Sequence, residues 1–221
     1  CATRLAEFLV EAGLPAGVLN VVHGRGDAGA ALVAHEQVRA ISFTGSEATG
    51  AKVAEVCGKR KARVQRVLGG KNPTIVLADA DLDEAAGIVL NAAFGSTGQR
   101  CTATSRAIVE RSVVEAFSEK LVAKAKAMKV GPGLEAGMEV GPSINAAHAD
   151  RVVSEVAAAA QAGARVLAGG MRLTDGALGK GHFVAPTVLG DVTPQMTIAQ
   201  EEVFGPVAAV LPADDFEHAM A

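Results

Sequence analysis

Thr74-Ile75-Val76-Leu77-Ala78-Asp79-Ala80-Asp81-Leu82-Asp83-Glu84 opens the stretch that decides the fold, residues 74–109. Thr74 and three apolar residues at 75–77 read as a short buried strand. Asp79 is placed to cap a long helix that starts near Asp81 and runs to Phe94. The acidic first turn of that helix complements its dipole. A loop of small and polar residues follows, Gly95-Ser96-Thr97-Gly98-Gln99-Arg100-Cys101-Thr102-Ala103, and then a second strand over 106–109. Strand, helix, strand is the unit from which parallel sheets are built.

The same alternation continues in both directions. Upstream, residues 3–12 read as a helix stopped by Gly13-Leu14-Pro15, and residues 18–22 as a strand. A turn at Gly24-Arg25-Gly26-Asp27 opens a helix over 27–34. Residues 38–43 form a strand and Ser46 is a plausible N-cap for the next helix. Val53, Val56 and Cys57 give that helix a core-facing stripe, which makes Cys57 packing. A strand over 63–68 follows. Downstream, Ser112 and Glu115 form a capping-box pattern for a helix reaching Met128. Residues 145–162 form another helix, with extended segments at 164–167 and 183–189. The pattern predicts an α/β fold with a doubly wound, mostly parallel sheet. A domain junction falls near Gly69-Gly70.

With 221 residues the chain can bury one large core or two modest ones. Nearly half of it is hydrophobic, much of that alanine, without Trp or Tyr and with seven Phe. Helices packed closely on a sheet suit that composition better than a ligand surface of aromatics. The formal net charge of -3 and the dispersed basic residues argue against nucleic acid. Three widely spaced cysteines do not make a disulfide framework, so a reducing, cytoplasmic setting is expected. Residues 1–17 carry Arg4, Glu7 and Glu11 among apolar positions, unlike a secretion signal. No apolar run reaches bilayer length, so no membrane role is expected. The five histidines, His23, His35, His148, His182 and His218, lack metal-ligand spacing, and no metal site is expected.

Cys101 carries the sharpest chemical suggestion. A thiol in a small-residue loop beside Arg100 is poorly placed as core filler. A cation or a helix N-terminus raises the thiolate fraction, and the thiolate attacks carbonyl carbon. A free cysteine is also commonly an inert hydrophobe, and the residues alone leave both readings open. About thirty residues earlier lies a second loop, Leu68-Gly69-Gly70-Lys71-Asn72-Pro73, able to face the same cleft. Residues 24–29, G-R-G-D-A-G, formally match a dinucleotide fingerprint. Asp27 at the helix start opposes a pyrophosphate, and a tight turn explains the glycines as well. Phe43-Thr44-Gly45-Ser46 offers backbone donors at a helix start, or simple capping. In Glu201-Glu202-Val203-Phe204-Gly205-Pro206 a carboxylate can accept ribose hydroxyls and Phe204 can lie against a ring; a solvated acidic pair is the plainer reading.

Five motifs taken together resemble the aldehyde dehydrogenase superfamily: F-T-G-S at 43–46, L-G-G-K-N-P at 68–73, D-A-D-L-D at 79–83, G-Q-R-C-T-A at 98–103 and E-E-V-F-G-P-V at 201–207. The resemblance runs from the E-A-G-L-P-A-G-V-L-N segment at 11–20 through Ala221. It implies oxidation of a small aldehyde to a carboxylic acid with NAD or NADP. Cys101 is the implied nucleophile, acting through a thiohemiacetal and a thioester, with its own N–H as an oxyanion donor. Gly26, Gly45 and Ser46 match cofactor-loop positions; Glu202 and Phe204 match residues around the nicotinamide ribose. The fingerprint reading of 24–29 then becomes unnecessary. Residues 1–69 are expected to be the C-terminal part of a Rossmann-like cofactor domain, and 70–221 the thiol-bearing catalytic domain, C-terminally incomplete. The wording around R-V-Q and G-P-V-A-A-V is similar to members that oxidise semialdehydes of dicarboxylic acids.

Two departures accompany the resemblance. The family's general base is a glutamate two positions before Gly69, and Val67 stands there. Valine takes no proton from water; losing a general base costs about 10²–10⁴-fold. The chain also reads as roughly half the length of a full member. Against the family it is expected to lack the first half of the cofactor domain, an oxyanion asparagine, a ribose-binding lysine and an oligomerisation strand. By itself it is expected to be inactive, and its parent a homodimer or homotetramer. A pseudoenzyme that keeps the fold, or a nucleotide-binding module without chemistry, is the alternative.

Overall fold

Val207-Ala208-Ala209-Val210-Leu211 lies at the heart of the molecule, and its unbroken apolar run is the mark of a strand covered on both faces. The computed structural model describes all residues 1–221. The chain divides into two compact units, Cys1–Gly69 and Gly70–Ala221.

The first unit contains helices α1 (Ala2–Glu11) and α2 (Gly26–Ala34), strand β1 (Ala40–Thr44), helix α3 (Glu47–Lys59) and strand β2 (Arg63–Val67). The two strands pair in parallel, Ala40 opposite Arg63 and Thr44 opposite Val67. Gly50, Val53 and Cys57 are the buried stripe of α3, so Cys57 is packing, as its spacing indicated. The absence of a side chain at Gly50 makes room for Leu68. The strand expected over 18–22 does not form. A strand needs a neighbour for its backbone donors and acceptors, and the sheet of this unit holds only β1 and β2. Val18 and Val22 are each 66% exposed. The helix after Gly24-Arg25 therefore follows a loop.

The second unit contains β3 (Asn72–Val76), α4 (Leu82–Phe94), a 3₁₀ turn (Gly95–Gly98), β4 (Thr104–Glu110), α5 (Val114–Ala127) and α6 (Ala146–Gln161). It continues with β5 (Arg165–Ala168), β6 (Arg172–Leu173), β7 (Phe183–Val184), β8 (Thr187–Gly190), α7 (Thr197–Gln200), β9 (Val207–Ala213) and α8 (Phe216–Met220). Its main sheet runs β3-β4-β9-β8-β5, with β6 and β7 as a separate two-stranded ribbon. All pairs of the main sheet are parallel except β5 with β8. The fold is α/β with a mostly parallel sheet.

Side-chain alternation along β9 builds a core on each face. Ala208 and Val210 join Val89, Phe94, Phe117 and Leu121 of α4 and α5. Val207, Ala209 and Leu211 join Val152 and Val156 of α6 and Ile198 of α7. Each large apolar side chain fully removed from water contributes roughly 1.5–3 kcal/mol.

Two helix starts differ from the sequence reading. Asp81, not Asp79, caps α4, its carboxylate accepting from the Asp83 and Glu84 amides at 2.9 and 3.1 Å. Asp79 lies two residues too early to reach those donors. The Ser112–Glu115 capping box is absent: α5 starts after Val113 without a side-chain cap. The Ser112 hydroxyl instead donates to Glu110 at 3.2 Å.

Strand direction fixes where chemistry can sit. Cys101 precedes β4 and the 201–206 loop precedes β9, so both lie at the N-terminal ends of parallel strands. At the opposite ends, a cavity of about 580 Å³ opens between α5 and the ends of β4, β8 and β9. No helix is long and apolar enough to cross a membrane.

Candidate functional site

The loop before Cys101 turns through a backbone that side chains rarely adopt. Ser96, Thr97 and Gly98 have φ of 54°, 62° and 65°. This left-handed run costs the two non-glycine residues energy that the surrounding packing must offset. At residue 98 only glycine fits, because a Cβ would collide with the carbonyl of Gly205. That close approach brings the thiol loop against the 201–206 loop. Asn72 fixes the thiol loop from the other side, its amide donating to the carbonyls of Cys101 at 2.7 Å and Ala103 at 3.1 Å. Cys101 itself is exposed, and its backbone N–H meets no protein acceptor. An open thiol thus stands beside a free amide donor on a loop pinned at both ends.

The 201–206 loop is held as firmly. One Glu202 carboxylate oxygen accepts the Gly70 N–H at 3.3 Å. Arg151 donates to the Val203 carbonyl at 2.9 Å. Phe204 takes a left-handed φ of 56°, and its carbonyl accepts from His148 Nε2 at 2.6 Å. The Phe204 and His148 rings meet edge to face, 6.2 Å apart. Gly70, Gly98, Arg100, Glu202, Phe204 and Gly205 line a narrow crevice between the two loops. Of the residues read from sequence, the second unit therefore gathers Glu202 and Phe204 around the segment that also holds the Cys101 carbonyl.

Arg100, the cation next to Cys101 in sequence, turns back towards α4. Its guanidinium donates back to the Ala92 carbonyl at 3.2 Å, satisfying an orphan acceptor at the end of α4. The charge that stands out is Lys71. Burial and the neighbouring Arg106 guanidinium push its amine down from 10.5 to about 8, against the pull of Glu155, Glu202 and Glu201. Burial likewise pushes the Glu155 carboxyl up, although Arg151 beside it acts in the other direction.

In the first unit, Ser46 caps α3, accepting from the Thr49 amide at 3.4 Å. The amides of Glu47 and Ala48, both exposed residues, have no backbone partner. A Cβ at Gly45 would collide with the Phe43 ring, which lies 2.6 Å from that position, and the Gly45 N–H donates to the Val67 carbonyl at 3.1 Å. An exposed helix start whose first amides lack backbone partners suits an anionic or sugar group. Gly26 opens α2 in exposed surroundings. Val67 ends β2 and is 45% exposed.

Sequence reasoning missed Asn72, Lys71 and His148 as site residues. Asn72 and Lys71 sat inside a quoted motif, and only the fold shows what their groups hold. For His148 a signal existed: with an N-cap at Asn145, His148 and Arg151 fall three apart on one helical face, and both reach the 203–204 backbone.

The family model described as "Aldehyde dehydrogenase family" matches residues 1–221. The chain is 44% identical to an alpha-ketoglutaric semialdehyde dehydrogenase of Bacillus subtilis (strain 168), over all of this chain and 45% of that protein. HpcC from Thermus thermophilus superposes with a TM-score of 0.95 at 44% identity, over 99% of this chain and 43% of that one. Betaine aldehyde dehydrogenase from Staphylococcus aureus, solved with NAD+, superposes with a TM-score of 0.96 at 34% identity, over 99% of this chain and 44% of that one. The chain thus spans less than half the length of these relatives. A match along every residue, joined to the thiol loop, the Gly70–Glu202 contact and the parallel sheet, places this chain in the aldehyde dehydrogenase family.

Proposed function

We propose that this chain carries the thiol-bearing part of an NAD(P)-dependent aldehyde oxidation, with Cys101 as nucleophile and a semialdehyde of a dicarboxylic acid as substrate. The observation that carries the reading is the exposed Cys101 thiol beside its own free N–H, on a loop tethered by Asn72. Cys101 Sγ adds to the aldehyde carbon, and the Cys101 N–H donates to the oxygen as it takes on negative charge. The cofactor, when bound, accepts the hydrogen and electron pair that the aldehyde carbon gives up. The acyl group is then left on sulfur as a thioester, for water to release.

Residues 1–69 act as part of the cofactor domain and 70–221 as the catalytic domain. Gly45, Ser46 and Gly26 would line the cofactor site, and the exposed start of α3 fits that role. Glu202 would accept ribose hydroxyls through the oxygen not engaged by Gly70, with Phe204 flanking the ring. Val67 offers no proton acceptor for the water, so release of the acyl group is the slow step. The semialdehyde assignment is supported by the Bacillus subtilis relative, whose name carries that substrate class.

The test mixes NAD+ and alpha-ketoglutaric semialdehyde with the full-length protein in which this chain is completed, following NADH and the intact mass. One equivalent of NADH and an acyl adduct on the peptide bearing Cys101 are expected, with little turnover afterwards. In Val67→Glu, turnover should rise by about 10²–10⁴-fold. No adduct and no NADH burst, in a protein that labels normally at Cys101 with iodoacetamide, would favour the reading in which the fold persists without chemistry. Val67 is the feature that motivates that second reading.

A further inference from the structure

Cys101 and Thr102 are the two central residues of a turn, closed by the Ala103 N–H donating to the Arg100 carbonyl at 3.0 Å. That bond leaves the central peptide, Cys101 C=O with Thr102 N–H, without a partner inside the turn. Unheld, the turn can rock about its closing bond and carry the Cys101 thiol and N–H with it. Asn72 supplies the hold from outside. Its amide N–H groups donate to the Cys101 carbonyl at 2.7 Å and the Ala103 carbonyl at 3.1 Å. Both partners are carbonyls, so the NH2 and not the oxygen of the amide faces the turn. The entry to β3 is shaped to present it. Asn72 stands opposite Thr104 and Pro73 opposite Arg106, so Ser105 is the extra residue of a β-bulge, a device that re-aims side chains. Pro73 has no N–H to lose from the ladder. The Ser105 hydroxyl donates to the Asn72 carbonyl at 3.4 Å, and Arg106 donates to the Lys71 carbonyl at 2.7 Å. Gly70 leaves the room: a Cβ there would stand 3.1 Å from the Cys101 carbonyl oxygen and 3.3 Å from Asn72 Oδ1.

We propose that Asn72 is the positioning residue of the Cys101 thiol: its two donors lock the turn and so fix where Sγ and the Cys101 N–H stand for attack on the aldehyde carbon. The inference rests on the proposed function for the reaction it serves, while the lock itself rests on the hydrogen bonds. The same segment reaches the second loop, since the Gly70 N–H donates to Glu202 at 3.3 Å. Gly70 and Asn72 are separated by Lys71 alone. One short, bulged piece of backbone therefore holds both the thiol turn and the carboxylate assigned to the cofactor ribose, and it sets the spacing between them. Misplacing a reacting atom by about 1 Å costs on the order of 10²-fold in rate, so loss of the two donors falls on the chemical step. Binding of aldehyde and cofactor needs no such alignment and is left largely as it is.

The test uses the full-length protein in which this chain is completed, with the variants Asn72→Ala, Asn72→Asp and Asn72→Ser. Alanine removes both donors, aspartate removes them while keeping the volume, and serine keeps one. The rate of the first-turnover NADH burst is expected to fall about 10²-fold in Asn72→Ala and Asn72→Asp, and clearly less in Asn72→Ser. NAD+ affinity and the aldehyde concentration giving half the maximal burst rate should change by less than about threefold, which separates alignment from binding. Iodoacetamide, which approaches an open thiol from many directions, should label Cys101 in the wild type and every variant. An Asn72 that only supports the fold would lower Tm and leave the burst of the folded fraction normal. A loss of less than about tenfold in Asn72→Ala, or a loss in Asn72→Ser as large as in Asn72→Ala, overturns the proposal. The hold itself is read without turnover, from the Cys101 carbonyl signal in protein labelled with carbon-13 at cysteine carbonyls and assigned by its loss in Cys101→Ser. That signal should move in Asn72→Ala and Asn72→Asp; one that stays in place overturns the lock. A wild type without an NADH burst counts against the proposed function, while the carbonyl signal still decides whether Asn72 holds the turn. Where Asn72→Ala does not fold, Asn72→Asp and Asn72→Ser carry the comparison.

Discussion

At the residue scale, Lys71 ties stability to pH. Unfolding returns its amine to the ordinary 10.5, whereas the fold holds it at about 8. Between those values the unfolded chain binds more protons, so stability rises with pH across that window. Below it, the cost of burying the ammonium is fully present, on the order of 3 kcal/mol at most. Lys71→Met should therefore raise Tm at pH 7 by several degrees and flatten the increase in Tm between about pH 8 and 10.5. Thermal unfolding at a series of pH values checks both. A lower Tm in the variant at pH 7 would mean that the ammonium's attraction to the carboxylates outweighs its burial. Ser96 and Thr97 keep their left-handed φ where the thiol loop turns into Cys101.

At the element scale, helix starts show how a single carboxylate sets a boundary. Asp81 satisfies two otherwise free amides of α4, and its carboxyl is held below the usual range by those same donors, first Glu84 and then Asp83. Asp81→Ala should cost about 1 kcal/mol, read as a lower urea midpoint with unchanged m-value. Elements with strong periodicity and a partner were legible: the α6 stripe of Ala149, Val152, Val156 and Ala159 is spaced three and four apart and is buried. The 74–77 and 106–109 strands appear as β3 and β4 in parallel register, Ile75 opposite Ile108. Elements whose fate depends on a distant neighbour were not legible. Residues 18–22 have strand composition and no strand beside them. Asp79 and Asp81 look equally able to cap, and only the chain direction after Leu77 separates them. At the site, the small-residue signature of 95–103 pointed to Cys101, whereas the surroundings of Asn72, Lys71 and His148 come from contacts made across 29, 35 and 56 residues.

At the scale of the whole molecule, the two units differ in how much they bury. The first has two buried hydrophobic side chains, Val53 and Cys57, and its helices α1 and α2 have none. The second builds two cores, one on each face of its sheet. Resistance to local opening follows buried apolar contact. Amide hydrogen exchange should therefore be fast through Cys1–Gly69, within minutes at neutral pH, and slower by at least about 10³-fold in β4, β8 and β9. Mass-resolved exchange by peptide measures this directly; equal protection in the two units would contradict the account.

The sheet of the second unit also has two ends with separate duties. Strands β4 and β9 are seven residues long, about 20 Å, and the thiol loop sits wholly at their starts. The turns that finish β4 and β8, near Arg111–Ser112 and Gly190–Asp191, border the open cavity beside α5. Those turns are the natural points at which to graft a fluorophore or an added peptide: a chemist can dress that rim while leaving the sulfur, its tether and its amide undisturbed.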